Sequence, residues 1–98
     1  MNYLGARLRE LRESRGLLLR QVAAAMEVDT ALVSKLERGE RKANRDQVNR
    51  LSSILKVPEK ELLLLWLADK IADDISHEPL AMEAMRYVEQ RLKETSND

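Results

Sequence analysis

The stretch "VDTALVSKLERGERK", Val28 to Lys42, decides how this chain is read. Asp29 is a good N-cap and Gly39 a good stop, so the spacing predicts a helix that starts after Asp29 and ends before Gly39. Val33 and Leu36 fall on one side of it. Thr30, Ala31, Ser34, Lys35 and Arg38 fall toward the other, with Leu32 at the edge. A basic turn follows, and from Lys35 to Arg45 there are five basic residues against two acidic ones. That arrangement fits a helix packed in a core, and it equally fits a surface facing a polyanion.

Outward from this stretch the pattern is helical throughout. A first helix is expected from Asn2 to Ser14, with Leu4, Leu8 and Leu11 at i, i+4 and i+7 and Gly16 as its left-handed stop. A second covers Leu18 to Met26, with Val22 and Met26 inward, and the tight turn "MEVDT" joins it to the third. Asn44 and Gln47 have capping-box spacing and open a fourth helix carrying Val48, Leu51 and Leu55. Pro58, with Glu59 and Glu61, suits the first turn of a fifth helix ending near Ile75. Pro79 opens a sixth, running to about Glu94. The fold expected is all-α.

Composition narrows the function classes. The chain has 98 residues, enough for one domain and an appendage. It has no Cys, which removes disulfides and thiolate metal sites and fits a reducing cytoplasm. The N-terminus lacks a signal pattern, and the apolar run "LLLLWLA", Leu62 to Ala68, is too short to span a bilayer, so no membrane partner is expected. His77, the single histidine, reads as a loop residue, and Asp69, Asp73 and Asp74 read as a solvated face. No phosphate-binding glycine loop, no nucleophile with a matched base and no metal-ligand cluster is present, so no enzyme activity, cofactor or metal is expected.

Net charge is zero, but it divides unevenly. Residues 1–50 hold 11 basic and 7 acidic residues, and residues 51–98 hold 6 and 10. A basic half beside an acidic half fits a polyanion-facing side and a side with another task, and it also fits ordinary surface variation.

Two short helices joined by a tight turn form the helix-turn-helix layout. Residues 4 to 65 resemble the phage repressor and Cro type of helix-turn-helix domain, the Xre family. The resemblance is carried by "LRELRESRGL", "VAAAMEVDTALVSKLERGER", "LSSILKV" and "ELL". It implies a five-helix repressor-like DNA-binding domain over 1–65 and a C-terminal helical extension over 66–98 that forms a dimer interface. Arg12 and Glu37 would form a partly buried pair tying the first helix to the third. Thr30, Ala31, Leu32, Ser34 and Lys35 would read bases in the major groove of double-stranded DNA. Arg20, Arg38, Arg41, Lys42, Asn44 and Arg45 would hold phosphates, with Arg45 near the minor groove.

One departure concerns the second helix, which such domains open with Ser or Thr followed by Gln. Here Leu18 and Leu19 stand in "GLLLRQV". Leucine cannot cap, which forgoes about 1 kcal/mol, so that DNA contact is not transferred, and Arg20 or Gln21 could take over.

In the extension, Leu62 and Leu65 are expected to close the core. Leu63, Leu64, Trp66, Leu67, Ile71, Ile75, Met85, Val88 and Leu92 make a surface that is either an extended intramolecular core, completing a monomer as a helical hairpin, or a subunit interface, and they are expected to meet a second copy of the chain. The resulting expectation is a cytoplasmic, nucleoid-associated homodimer that represses transcription from an inverted-repeat operator. The alternatives are a protein-interaction module such as an antitoxin, or a controller protein of a restriction-modification system.

Overall fold

The computed structural model describes residues 1–96, and its described elements are six α-helices. They are α1 (Tyr3–Ser14), α2 (Leu19–Met26), α3 (Thr30–Arg38), α4 (Arg45–Leu55), α5 (Glu59–Ile75) and α6 (Ala81–Ser96). Helices α1 to α5 pack around one aliphatic core. Leu4, Leu8 and Leu11 enter it from α1, Val22, Ala23 and Met26 from α2, and Val33 and Leu36 from α3. Val48, Leu51 and Leu55 enter from α4, and Leu62 from the start of α5.

The helix ends follow local chemistry. α1 closes with Gly16 at φ 65°, where the Leu17 amide donates to the Arg12 carbonyl and the Gly16 amide to that of Glu13. α4 opens with a reciprocal pair: the Asn44 side chain accepts from the Gln47 amide at 2.8 Å, and the Gln47 side chain accepts from the Asn44 amide at 3.0 Å. α2 lacks a capping side chain at Leu18, as expected, and Gln21 makes only the reciprocal contact, accepting from the Leu18 amide at 2.8 Å. Four starts differ from the sequence reading by one or two residues, that of α2 because Leu18 is its N-cap and Leu19 its first residue. α1 begins at Tyr3, Pro58 is the N-cap of α5 rather than in its first turn, and α6 begins at Ala81, after a turn that contains His77 and Pro79.

The C-terminal third departs further. Leu63 and Trp66, expected at a subunit interface, pack with Leu65 against the intramolecular core. The physical reason is width: α5 lies in the groove between α1 and α4, and a helix so seated buries a broad stripe rather than one line. Leu64, Leu67 and Ile71 remain exposed, at 66%, 45% and 51%. α6 buries none of its residues. The radius of gyration is 15.6 Å, against about 13 Å for a globule of this length, because α6 extends away from the five-helix body.

The acidic face of α5 is not simply solvated either. Asp69 accepts from the Tyr3 amide at 2.7 Å and the Leu4 amide at 3.0 Å. It thereby serves two of the unpaired donors at the start of α1. Asp73 pairs with Lys42 at 2.8 Å and with the Met1 amino group at 3.1 Å.

Candidate nucleic-acid interface

α2 and α3 meet through a turn built on two caps. Glu27 takes a left-handed conformation at φ 60°, and the Val28 amide returns to the Ala23 carbonyl at 3.0 Å. Asp29 then caps α3 by accepting from the Leu32 amide at 2.8 Å. Val33 and Leu36 point into the core, which fixes the rotation of α3 and leaves Thr30, Ala31, Lys35 and Arg38 exposed. Thr30 and Ala31 lie in the first turn, the end of such a helix that can approach base edges.

Two candidates from the sequence are less free than expected. Leu32 is half-buried and packs on the core. Ser34 is half-buried, and its hydroxyl accepts from the Arg38 guanidinium.

Beneath α3, Arg12 and Glu37 make a bidentate pair. Arg12 Nε donates to Glu37 Oε2 at 2.7 Å and Nη2 to Oε1 at 3.1 Å. Arg12 also donates to the Leu17 carbonyl at 2.9 Å. Its charged form is favoured first by the Glu37 hydrogen bond, which outweighs the effect of burial. Glu37 is 8% exposed, so this pair is sealed between α1 and α3.

The closeness of the two helices depends on Gly5. A Cβ there would lie 2.5 Å from the Leu36 carbonyl oxygen and 2.6 Å from that of Glu37. Asn2 sits at the same junction and donates to the Glu37 carbonyl at 2.9 Å. Sequence reasoning missed both residues, because neither breaks the helical pattern.

Gly39 ends α3 at φ 74°, and the Glu40 amide returns to the Lys35 carbonyl at 2.9 Å. The basic residues around it differ in their engagement. Arg38 is held by Glu40 at 2.8 Å. That contact favours the charged form of both, raising the Arg38 pKa and lowering that of Glu40. Lys42 is held by Asp73, which raises its pKa. Asn44 uses its side-chain oxygen as a cap.

Among the described residues, Arg20, Lys35, Arg41 and Arg45 form no ion pair, and all four are exposed. Arg45 instead lies over the Trp66 ring, 5.4 Å from its centroid, with the Lys70 ammonium nearer, at 3.7 Å. The same indole donates to the Ala43 carbonyl at 2.7 Å. Arg50, also missed, pairs with Asp46 at 3.1 Å and reaches toward the Met26 carbonyl at the end of α2.

Chemically, the site offers an exposed helix start flanked by cations, which suits phosphate and base-edge contacts. It offers little else. Among the described residues no His, Cys, Asp and Glu group could hold a metal, and no helix is long and apolar enough to cross a membrane.

A family model for the helix-turn-helix domain matches residues 3–65. A curated relative from Bacillus subtilis (strain 168), the uncharacterized HTH-type transcriptional regulator RghRB, is 36% identical over 64 residues. The match takes in 64% of this chain and 46% of that protein, so the chain spans about half the length of this relative. Two crystal structures of the clp gene regulator ClgR from Corynebacterium glutamicum are also similar. One shares 28% identity, covers 69% of this chain and 88% of that one, and has a TM-score of 0.61. The other shares 25% identity, covers 97% and 90%, and has a TM-score of 0.62, so its likeness extends into α6. The relatives are named as an HTH-type transcriptional regulator and a clp gene regulator, not as enzymes.

Proposed function

This chain belongs to the helix-turn-helix domain family, in its phage-repressor and Cro (Xre) type, and from that premise we propose that it is a sequence-specific DNA-binding repressor that acts as a homodimer on an inverted repeat. The observation that carries the proposal is the outward side of α3, where Thr30, Ala31 and Lys35 are exposed, with the exposed cations Arg20, Arg41 and Arg45 on the segments before and after it. Thr30 would exchange hydrogen bonds with a base edge, Ala31 would touch a thymine methyl group, and Lys35 would reach guanine O6 or N7. Arg20, Arg38, Arg41, Lys42 and Arg45 would fix the register through phosphates, which carry affinity but no sequence information.

The dimer follows from two features. Operators of this kind present two half-sites about one helical turn apart, which calls for two-fold symmetry in the protein. The exposed Leu64, Leu67, Ile71, Met85, Val88 and Leu92 form an apolar strip along α5 and α6, and α6 has no cover of its own. Most of the stability of a helix in a protein comes from packing of its amphipathic face, which α6 does not yet have.

Selection from a random pool of duplexes tests the reading. Recovery of an inverted repeat is expected, with affinity that falls steeply with salt. No duplex bound at low salt, or binding unchanged by Arg41→Ala with Arg45→Ala, sinks it. Light scattering tests the dimer: a two-chain mass is expected, falling to one chain for Leu67→Glu with Ile71→Glu. The uncovered α6 also supports a second reading, an interaction module for a different protein, and a one-chain mass for the unmodified protein would favour it.

A further inference from the structure

We propose that Trp66 is a positioning residue of the DNA interface, which sets the conformation of the 42–45 segment from α5. The inference rests on the reading of that segment as phosphate-facing. Trp66, Asp69, Lys70 and Asp73 fall at i, i+3, i+4 and i+7 and share one side of α5. Three of the four residues from Lys42 to Arg45 are tied to that side. Lys42 meets Asp73 at 2.8 Å, the Ala43 carbonyl accepts from Trp66 Nε1 at 2.7 Å, and Arg45 lies over the Trp66 ring at 5.4 Å.

The segment has few other anchors. The return bonds of α3 to the Lys35 carbonyl end at Arg41, and the cap of α4 begins at Asn44. Between them, among the described residues, the indole N–H is the one hydrogen-bond partner of the backbone. Ala43 is buried under this contact, at 8% exposure. The ring face works together with the N–H. Lys70 stands 3.7 Å above its centroid and Arg45 5.4 Å from it, so two cations are held by one aromatic ring, and Arg45 is oriented at the start of α4 before any phosphate arrives. A segment ordered in advance loses less freedom on binding, and that saving appears as affinity. Trp66 itself need not touch DNA.

Two variants separate the halves of this device. Trp66→Phe keeps a ring and removes the N–H, and Arg45→Ala removes the stacked cation. In Trp66→Phe, exchange of the bonded amides of Glu40, Arg41 and Asn44 is expected to speed up at least about tenfold, while the α1 and α4 core amides keep their relative protection. Affinity for a random-sequence duplex is expected to fall about tenfold, as for a contact segment that must order on binding. The loss caused by Arg45→Ala is expected to shrink in the Trp66→Phe background, since a segment no longer held at the Ala43 carbonyl places Arg45 less well on its ring and its phosphate.

Unchanged exchange at Glu40, Arg41 and Asn44 overturns the proposal, and so do fully additive losses. If the unmodified chain binds no duplex, the DNA reading fails, while the exchange measurement still decides whether Trp66 orders the segment. The unmodified chain gives a test that needs no variant to fold. Trp66 is its only tryptophan, so one indole N–H resonance reports the Ala43 bond. Strong protection from solvent exchange is expected, and exchange as fast as in free tryptophan overturns the proposal.

Discussion

Gly5→Ala tests the junction on which the orientation of α3 depends. By helix propensity alone the change should stabilise α1 by about 1 kcal/mol. The structure predicts the opposite sign. An added Cβ would stand 2.5 Å from the Leu36 carbonyl oxygen and 2.6 Å from that of Glu37. An ordinary carbon–oxygen contact needs about 3.3 Å, so α1 must retreat from α3 by about 0.8 Å. Both oxygens belong to the backbone, and no side chain can swing aside to relieve them. Overpacking of this kind costs about 1–3 kcal/mol, and the retreat also breaks the Asn2 bond to the Glu37 carbonyl, worth about 1 kcal/mol. Against the propensity gain, the net is a destabilisation of about 2 kcal/mol, or about 10 °C in Tm for a domain of this size. Urea unfolding gives the free energy directly. Gly16→Ala is the control, since a Cβ there meets nothing within 4 Å and only its φ of 65° opposes it. That should cost about 1 kcal/mol. A Gly5→Ala midpoint equal to or above the original refutes the close approach of α1 to α3.

Glu37→Ala leaves the Arg12 guanidinium buried without its acid and should lower stability by about 3–5 kcal/mol in the same urea experiment; a loss under about 1 kcal/mol would mark the pair as an ordinary surface contact. Leu18→Ser gives α2 the side-chain cap it lacks and should raise stability by about 1 kcal/mol; a lower midpoint would show that Leu18, though 46% exposed, does more by packing than a cap can. Lys42 holds the Asp73 carboxyl below its ordinary pKa, with the Met1 amino group adding to the effect. A lowered folded-state pKa means the contribution is present above the unfolded value, near 4, and is lost as pH falls through the folded one. Carboxyl resonances followed by NMR should show Asp73 titrating below an ordinary aspartate in the unmodified chain and moving up in Lys42→Ala; no movement removes Lys42 as the cause.

The fold was legible wherever one helix carries its own signal. Leu4, Leu8 and Leu11 mark the inner face of α1 by spacing, Val33 and Leu36 do so for α3, and Asn44 with Gln47 states a cap within four residues. The exposed side of α3 follows from the same spacing, since a helix with two core residues has one rotation. Legibility ended where direction depends on a partner element. The run from Leu62 to Leu67 has no polar side, so nothing local says that Leu63 and Trp66 turn inward while Leu64 and Leu67 turn out. Asp69 and Asp73 look like a solvated face until the start of α1 and the α3–α4 loop come within bonding distance. Gly5 looks like a weak point in a helix until the carbonyls of α3 lie against it. Each miss is a tertiary contact between residues far apart in the chain.

That distinction changes what zero net charge means here. The basic and acidic halves are not kept apart, because α5 carries Asp73 to Lys42, and within the basic half Arg38 is held by Glu40 and Arg12 by Glu37. The cations left unpaired among the described residues of the α2–α4 face are Arg20, Lys35, Arg41 and Arg45. If Arg20, Arg41 and Arg45 meet phosphates while Lys35 reads a base, the logarithm of affinity should fall with the logarithm of salt at a slope of about −2.7 per subunit, from about −0.9 per phosphate. Asp73 then acts as an internal stand-in for a phosphate at Lys42. Lys42 is exposed and Asp73 half-buried, so a phosphate can displace the carboxylate from Lys42 at small cost, but the carboxylate still competes. Asp73→Asn should therefore strengthen binding about threefold at low salt and steepen the slope by about 0.9. It should do so equally for operator and random duplexes, because phosphates carry no sequence information. A variant with unchanged affinity and slope would show that Lys42 stays clear of the DNA. A gain confined to the operator would instead assign Lys42 to a base.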